Sequence, residues 1–212
     1  MRKTKLIIFD LDGTLVDAYA AITVSFNHTM RVLGYPLQPA KVIRRAVGWG
    51  DKRLLEPFIN VQDLSRALRV YRQSHKIALL KKSRLFSGVP SLLKFLRRKG
   101  YALAIASNRP THFSLILLTH LKIRDYFDYV LCADRLRHGK PHPDILKKII
   151  RKLKVTPEEA LYVGDMTIDI QTGANAGIKT VAVTTGSHGS FELTQSRPFL
   201  LLGRAAALKK LL

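Results

Sequence analysis

The apolar run Leu6-Ile7-Ile8-Phe9 stops abruptly at Asp10-Leu11-Asp12-Gly13, two carboxylates one residue apart and then a glycine. The run reads as a short strand. Residues i and i+2 of an extended segment share a face, so Asp10 and Asp12 converge at its tip. Gly13 permits the tight turn through which backbone N–H groups approach an anion. Such a strand end suits a cation and a phosphate.

Three later segments supply complementary parts in chain order. Ala106-Ser107-Asn108 follows a strand-like stretch from Tyr101, Gly139-Lys140-Pro141 precedes a helix-patterned stretch, and Gly164-Asp165-Met166-Thr167-Ile168-Asp169 follows Leu161-Tyr162-Val163. Strand-like runs over Leu6–Phe9, Ala102–Ala106, Tyr129–Ala133, Leu161–Val163 and Thr180–Val183 alternate with helical patterns. That alternation predicts an α/β fold with a Rossmann-like, doubly wound parallel sheet covered on both faces. Ligands bind outside the carboxyl ends of such strands, so the four segments point into one crevice.

Helix punctuation agrees. Gly34 and Gly100 stand where C-terminal glycines stop Ala20–Leu33 and Leu92–Lys99. Thr156-Pro157-Glu158-Glu159 has the form of a capping box with a first-turn proline. Between Asp17 and about Ser87 the strand signal disappears, and Ala18–Leu33, Pro39–Val47, Lys52–Ile59 and Gln62–Lys82 all read helical. The expected organisation is therefore an α/β core from 1–16 and 88–212, interrupted by a helical insertion over 17–87, with a short terminal strand and helix over Arg197–Leu212.

The residue types specify a phosphoryl-transfer site. Asp10, first after the first strand, is the expected nucleophile, and Asp12 the general acid to the leaving alcohol and base for the hydrolytic water. A doubly charged phosphate is repelled by clustered carboxylates unless a cation intervenes, and hard oxygen ligands with room for water favour Mg²⁺. Asp10 and Asp165 are the expected direct ligands, with Asp169 orienting a metal-bound water or Lys140. Asp165 and Asp169, four residues apart at a helix start, fall on one side. Ser107 and the backbone N–H of Asn108 are placed to hold phosphate oxygens, helped by the backbone of Gly13 and Thr14. Lys140 supplies the remaining positive charge.

This ordered set resembles the haloacid dehalogenase superfamily of phosphohydrolases, from Lys5 to about Gly186. Gly139-Lys140-Pro141-His142-Pro143-Asp144, Thr156 to Asp165 and Asn175-Ala176-Gly177-Ile178 look most like the branch that holds phosphoglycolate phosphatases, pyrophosphatases and β-phosphoglucomutases. The resemblance implies that 17–87 is a small helical cap hinged near Asp17 and Phe86-Ser87-Gly88. It implies too that the backbone carbonyl of Asp12 joins the metal ligands, and that Val47-Gly48-Trp49-Gly50-Asp51-Lys52 is a loop reading the leaving group. Trp49 fits a substrate wall or a core position equally well. The implied activity is a Mg²⁺-dependent phosphatase acting on a small phosphate monoester of phosphoglycolate type through an aspartyl-phosphate. Sugar-phosphate mutase and pyrophosphatase are the alternatives within the superfamily, and a catalytically retired, basic nucleic-acid-binding module is the alternative outside it.

Composition narrows the partners. The 212 residues are 47% hydrophobic, enough for a sizeable core. The single cysteine, Cys132, rules out an intramolecular disulfide and fits a reducing cytosol, as a buried apolar residue. No run approaches the roughly 18 apolar residues of a membrane span, so the expectation is a cytoplasmic monomer or homodimer without a membrane. Lys and Arg number 36 against 15 Asp and Glu, a formal +21. Such charge steers anionic substrates. No interleaved aromatic module marks a specific nucleic-acid partner. Arg109, Lys52 and Arg53 are candidate substrate contacts that the general basic surplus obscures.

Overall fold

The computed structural model describes residues 4–212. In chain order its elements are β1 (Leu6–Phe9), β2 (Val16–Asp17), α1 (Tyr19–Leu33), α2 (Ala40–Ala46), α3 (Asp51–Leu55), α4 (Leu64–Lys82), β3 (Arg84–Leu85) and α5 (Val89–Arg98). They continue as β4 (Ala102–Ser107), α6 (Thr111–His120), β5 (Tyr129–Cys132), α7 (Asp144–Leu153), β6 (Ala160–Gly164), α8 (Thr167–Ala176), β7 (Lys179–Val183), α9 (Ser190–Gln195) and β8 (Leu200–Leu202).

Six strands form one parallel sheet in the order β5-β4-β1-β6-β7-β8. β1 is buried along its whole length because it lies at the centre, paired on both sides, with helices over both faces. One face carries Ile7, Phe9, Leu103, Ile105, Leu161 and Val163 into the larger apolar cluster. The opposite face sets Leu6, Ile8, Ala104, Ala106 and Tyr162 against α7 residues Ile145, Leu146 and Ile149. The chain leaves β1 toward β4 and β5 on one side, then returns to build β6, β7 and β8 on the other. The order reverses at β1, and a crevice opens at the strands' carboxyl ends.

The helical stretch after β2 packs α1 on α4. Ala21, Ile22, Ser25, Phe26, Thr29 and Met30 recur every three or four residues on the buried side of α1. Ala67, Tyr71, His75, Ala78 and Leu79 do the same on α4. Its two ends are tied together by an antiparallel pairing, Val16 with Leu85 and Asp17 with Arg84, which is too short to leave a periodic signal in the sequence.

Several boundaries shift for identifiable reasons. The helix expected over Lys52–Ile59 stops at Leu55 and continues as a 3₁₀ turn over Glu56–Phe58, where Pro57 lacks the N–H an α-helix needs. The Thr156 capping signal introduces only a 3₁₀ turn, Pro157–Glu159, before the chain enters β6. The terminal segment is β8 followed by a 3₁₀ run over Ala205–Lys210 rather than an α-helix. Among the described residues no helix is long and apolar enough to cross a membrane.

α8 crosses β7 at Gly173, where an added Cβ would lie 1.8 Å from Thr180 Oγ1 and 3.0 Å from the Ile178 carbonyl. Replacing a helical glycine by alanine ordinarily stabilises by about 0.5–1 kcal/mol. Here overpacking costs about 1–3 kcal/mol, so Gly173→Ala should lower stability by roughly 1–2 kcal/mol. Urea unfolding midpoints of the two proteins check this; a gain in stability would mean α8 has room to move off the sheet.

Candidate active site

Asp10 sits one residue beyond β1, its N–H donating to the Val163 carbonyl at 2.8 Å, so the ladder with β6 fixes the start of the loop. Asp165 follows β6, and Asp169 lies in the first turn of α8. The helix begins at Thr167, so Asp165 belongs to the loop rather than sharing a helix face with Asp169 as the spacing implied. The three carboxylates nonetheless converge, each offering an oxygen within 4.8 Å of the others, and all three are buried.

One cation faces them. Lys140 Nζ lies 2.9 Å from Asp10 Oδ1 and 2.6 Å from Asp169 Oδ1, and donates to the Tyr162 hydroxyl at 3.1 Å. Tyr162 donates in turn to Asp169 Oδ1 at 2.7 Å, while the Met166 N–H donates to Asp169 Oδ2 at 3.1 Å. Both Asp169 oxygens are thereby occupied, which makes it a holder of Lys140. Asp165 accepts from Thr14 Oγ1 at 2.9 Å and from the Ser187 N–H at 3.3 Å.

Burial pushes the Asp10 pKa up to about 7; Lys140 counters this and the Asp169 charge adds to it. Burial raises Asp165 well above the carboxylate range, and the Asp10 and Asp169 charges raise it further. Burial disfavours a charged Lys140, but Asp10 and Asp169 overcome that and hold its pKa above the usual lysine value. Three carboxylates against one ammonium leave uncompensated negative charge in a dry pocket. The three acids could hold a metal ion, and donors that are all hard oxygens fit Mg²⁺. The Tyr19 hydroxyl lies beside the same pocket, within reach of the Ser187 side chain and 2.6 Å from where a Gly13 Cβ would fall.

Gly13 takes φ +85° and an added Cβ would meet Asp165 Oδ2 at 2.4 Å. Its N–H donates to the Val16 carbonyl at 2.9 Å. Gly13 therefore closes the turn and gives Asp165 space, and its N–H is spent inside the turn, which corrects its expected part in holding phosphate. The Thr14 hydroxyl donates to Asp165, while its backbone, the part expected to meet phosphate, is not engaged by that bond. Ser107 and Asn108 end β4 beside Asp10. Ser107 Oγ accepts only the Arg109 N–H, at 3.2 Å, so its own proton is free to donate. The Asn108 side chain is a brace, accepting from the Lys140 N–H at 2.9 Å and donating to the Gly48 carbonyl at 2.9 Å.

The Asp12 side chain is not among the converging acids. Both of its oxygens accept from Arg109, Nε to Oδ2 at 2.8 Å and Nη2 to Oδ1 at 2.6 Å. Arg109 Nη1 meets His75 Nε2 at 2.7 Å, and His75 Nδ1 meets Ser25 Oγ at 3.1 Å. A guanidinium only donates, so Nε2 accepts and the ring proton sits on Nδ1. Burial and the Arg109 charge lower the His75 pKa to about 2, keeping the ring neutral. Sequence reasoning offers Arg109 only as a candidate substrate contact amid the basic surplus, and it misses His75, which lies on a helix far along the chain. Gly186 was missed too, an added Cβ there falling 1.6 Å from Asp165 Oδ2. Trp49 is exposed, with Arg53 over its ring at 5.6 Å, and lines a groove with Asn108 and Lys140. Cys132 is buried, and its thiol donates to Ser114 Oγ at 3.3 Å.

Comparison with known sequences follows this geometry closely. The haloacid dehalogenase-like hydrolase family profile matches residues 7–183. The chain belongs to that family. It is 30% identical over 220 residues to the phosphoglycolate phosphatase of Nitrosococcus oceani, covering 100% of this chain and 98% of that one. Against the phosphoglycolate phosphatase of Aquifex aeolicus it is 30% identical, covering 98% and 96%. Among solved structures, a predicted phosphoglycolate phosphatase from Haemophilus somnus superposes with a TM-score of 0.93 at 27% identity, covering 100% and 99%. A haloacid dehalogenase-like protein from Streptococcus pneumoniae gives 0.89 at 27% identity, covering 100% and 98%. The protein is a phosphoglycolate phosphatase-like haloacid dehalogenase hydrolase, a hydrolase of phosphoric monoesters.

The neutral His75 makes a pH prediction. Between pH 6.5 and about 2 an unfolded histidine binds a proton that folded His75 does not, so this site withdraws stability as pH falls below 6.5, by about 1.4 kcal/mol per unit. His75→Gln keeps an acceptor for Arg109 without a titrating ring. Between pH 7 and pH 5 the variant should lose roughly 2 kcal/mol less than the parent in urea unfolding. Parallel curves would show that His75 is protonated in the folded protein.

Proposed function

We propose that the protein is a Mg²⁺-dependent phosphatase that hydrolyses a small anionic phosphate monoester of phosphoglycolate type, in the cytoplasm, through an aspartyl-phosphate on Asp10. The observation that carries this reading is the excess of buried carboxylate over cation at Asp10, Asp165, Asp169 and Lys140, at the carboxyl edge where Ser107 also ends its strand. Asp10 and Asp165 would hold the ion with the Asp12 carbonyl, while Asp169 holds Lys140. Bound Mg²⁺ would screen the carboxylates from the phosphate and polarise its oxygens.

A carboxylate oxygen of Asp10 forms a bond to phosphorus as the bond from phosphorus to the ester oxygen breaks. The departing oxygen takes a proton from Asp12. Water then attacks phosphorus, gives its proton to the Asp12 carboxylate and breaks the bond to Asp10, releasing phosphate and restoring both acids. Lys140 and the Ser107 hydroxyl neutralise charge on the transferring oxygens.

Residues 17–87 act in this reading as the cap over a core of 1–16 and 88–212. Supporting it, Arg44 donates to the Thr185 and Gly186 carbonyls at 3.1 and 2.8 Å, Arg45 pairs with Glu192, and Asn108 holds Gly48. The cavity left beside Asp10 is about 50 Å³, room for one or two waters. Substrate entry therefore requires the cap to lift.

Phosphate-release assays with phosphoglycolate, pyrophosphate, sugar phosphates and nucleotides test the reading. Turnover should require Mg²⁺ and fall at least about 10³-fold in Asp10→Asn, which keeps the shape of the side chain but removes the nucleophile. Near-normal turnover in that variant would refute the aspartyl-phosphate. Mg²⁺ should raise the melting temperature of the parent by binding only the folded state, and Asp165→Asn should abolish the rise; an unaltered shift would remove Asp165 from the ligands.

A further inference from the structure

We propose that Arg109 is the receptor for a carboxylate on the leaving alcohol, and that Asp12 occupies this receptor until substrate displaces it. The inference rests on the phosphatase reading and names the residue that selects the leaving group at the same site. Arg109 and Asp10 line one cavity, and Arg109 is the single Lys or Arg in its lining. The remaining wall is largely apolar, including Ile22, Val47, Leu54 and Phe113. Asp51 also reaches it, but is tied to Arg72 at 2.7 Å. A buried cation in such a chamber demands an anionic partner.

In the closed protein that partner is Asp12, which presents two oxygens to Nε and Nη2 in a fork. A substrate carboxylate has the same two-oxygen geometry and the same charge, so it can replace Asp12 without leaving the guanidinium unpaired. A hydroxyl or methyl in that position cannot. His75 fixes the third edge of the guanidinium through Nη1 and adds no competing charge, because its ring is neutral. Displacement has a second effect: both Asp12 oxygens are freed beside Asp10, where the ester oxygen departs. Esters of short hydroxy acids would thus bind and unlatch Asp12 in one movement, whereas esters of neutral alcohols leave it latched.

The test compares two esters that differ only in this group, phosphoglycolate and hydroxyethyl phosphate. The parent should favour phosphoglycolate by at least about 100-fold in kcat/KM, and Arg109→Gln should bring the ratio to within about threefold of one by losing phosphoglycolate turnover. Equal treatment of the two esters by the parent overturns the proposal while leaving the phosphatase reading intact. So does an Arg109→Gln protein that slows both equally, the signature of a merely structural role. A readout independent of turnover and of any variant is the melting temperature with added glycolate or ethylene glycol. Glycolate alone should raise it, and no difference between them refutes the receptor even if Arg109→Gln fails to fold. Loss of all phosphatase activity in the parent, with glycolate still stabilising it, would sink the phosphatase reading and keep Arg109 as a carboxylate site.

Discussion

Everything at the centre of this protein is arranged around buried negative charge that the chain itself does not neutralise. Asp10, Asp165 and Asp169 share one pocket with a single ammonium, Lys140. Carboxylates this close and this dry are unfavourable without a cation. The surrounding backbone is shaped to accept them. Side chains at Gly13, Gly164 or Gly186 would collide with Asp165 or Asp169, so two loops and the end of β6 are kept bare where the acids sit. Tyr162, from the middle of β6, reaches the same network by giving its hydroxyl to Asp169. The same crowding of carboxylates that could hold a metal ion lies at the strand ends where Ser107 also stands.

A second set of contacts joins this pocket to the helices above it. From Asp12 the chain of partners runs through Arg109 to His75 on α4 and Ser25 on α1, whose hydroxyl donates to the Ala21 carbonyl at 2.8 Å. Tyr71 stacks on His75 with ring centroids 4.8 Å apart, and Phe113 meets it edge-on at 5.3 Å. A movement of α1 and α4 away from the sheet must therefore pull on the guanidinium that holds Asp12. On the other flank, Arg44 packs its guanidinium 4.0 Å from the centre of the Tyr19 ring while binding the Gly186 carbonyl, so the Asp165 side of the pocket is coupled to α2 as well. The helices between β2 and β3 are thus linked to both motif carboxylates through named side chains.

The formal charge of +21 acts at a different range. Its acids are largely committed: Asp17, Asp51, Asp128, Glu159 and Glu192 each meet a surface cation, and others lie in the pocket. Most Lys and Arg are left facing solvent, a field that draws anions toward the molecule but is screened beyond roughly 8 Å at physiological ionic strength. Among the described residues, Lys140 and Arg109 are the two Lys or Arg side chains that the fold takes out of water.

The sequence by itself determined the parallel α/β core and which carboxylates lie at its strand tips, because apolar runs ending in Asp10, Ser107 and Asp165 carry their own period and punctuation. It also separated the helical stretch between Asp17 and Ser87, where strand periodicity stops. Local pattern could not say which way each side chain turns. Asp12 shares a strand tip with Asp10, yet Arg109 draws its carboxylate aside. The Gly13 N–H looks available for phosphate, yet the turn consumes it. His75 carried no sign of its place in the site, because its partner Arg109 is 34 residues away in sequence and the hydrogen bond exists only once α4 lies against the sheet. Only the tertiary structure decided these points: hydrogen bonding in a dry pocket leaves each donor and acceptor a few partners, and those partners come from elements distant in the chain.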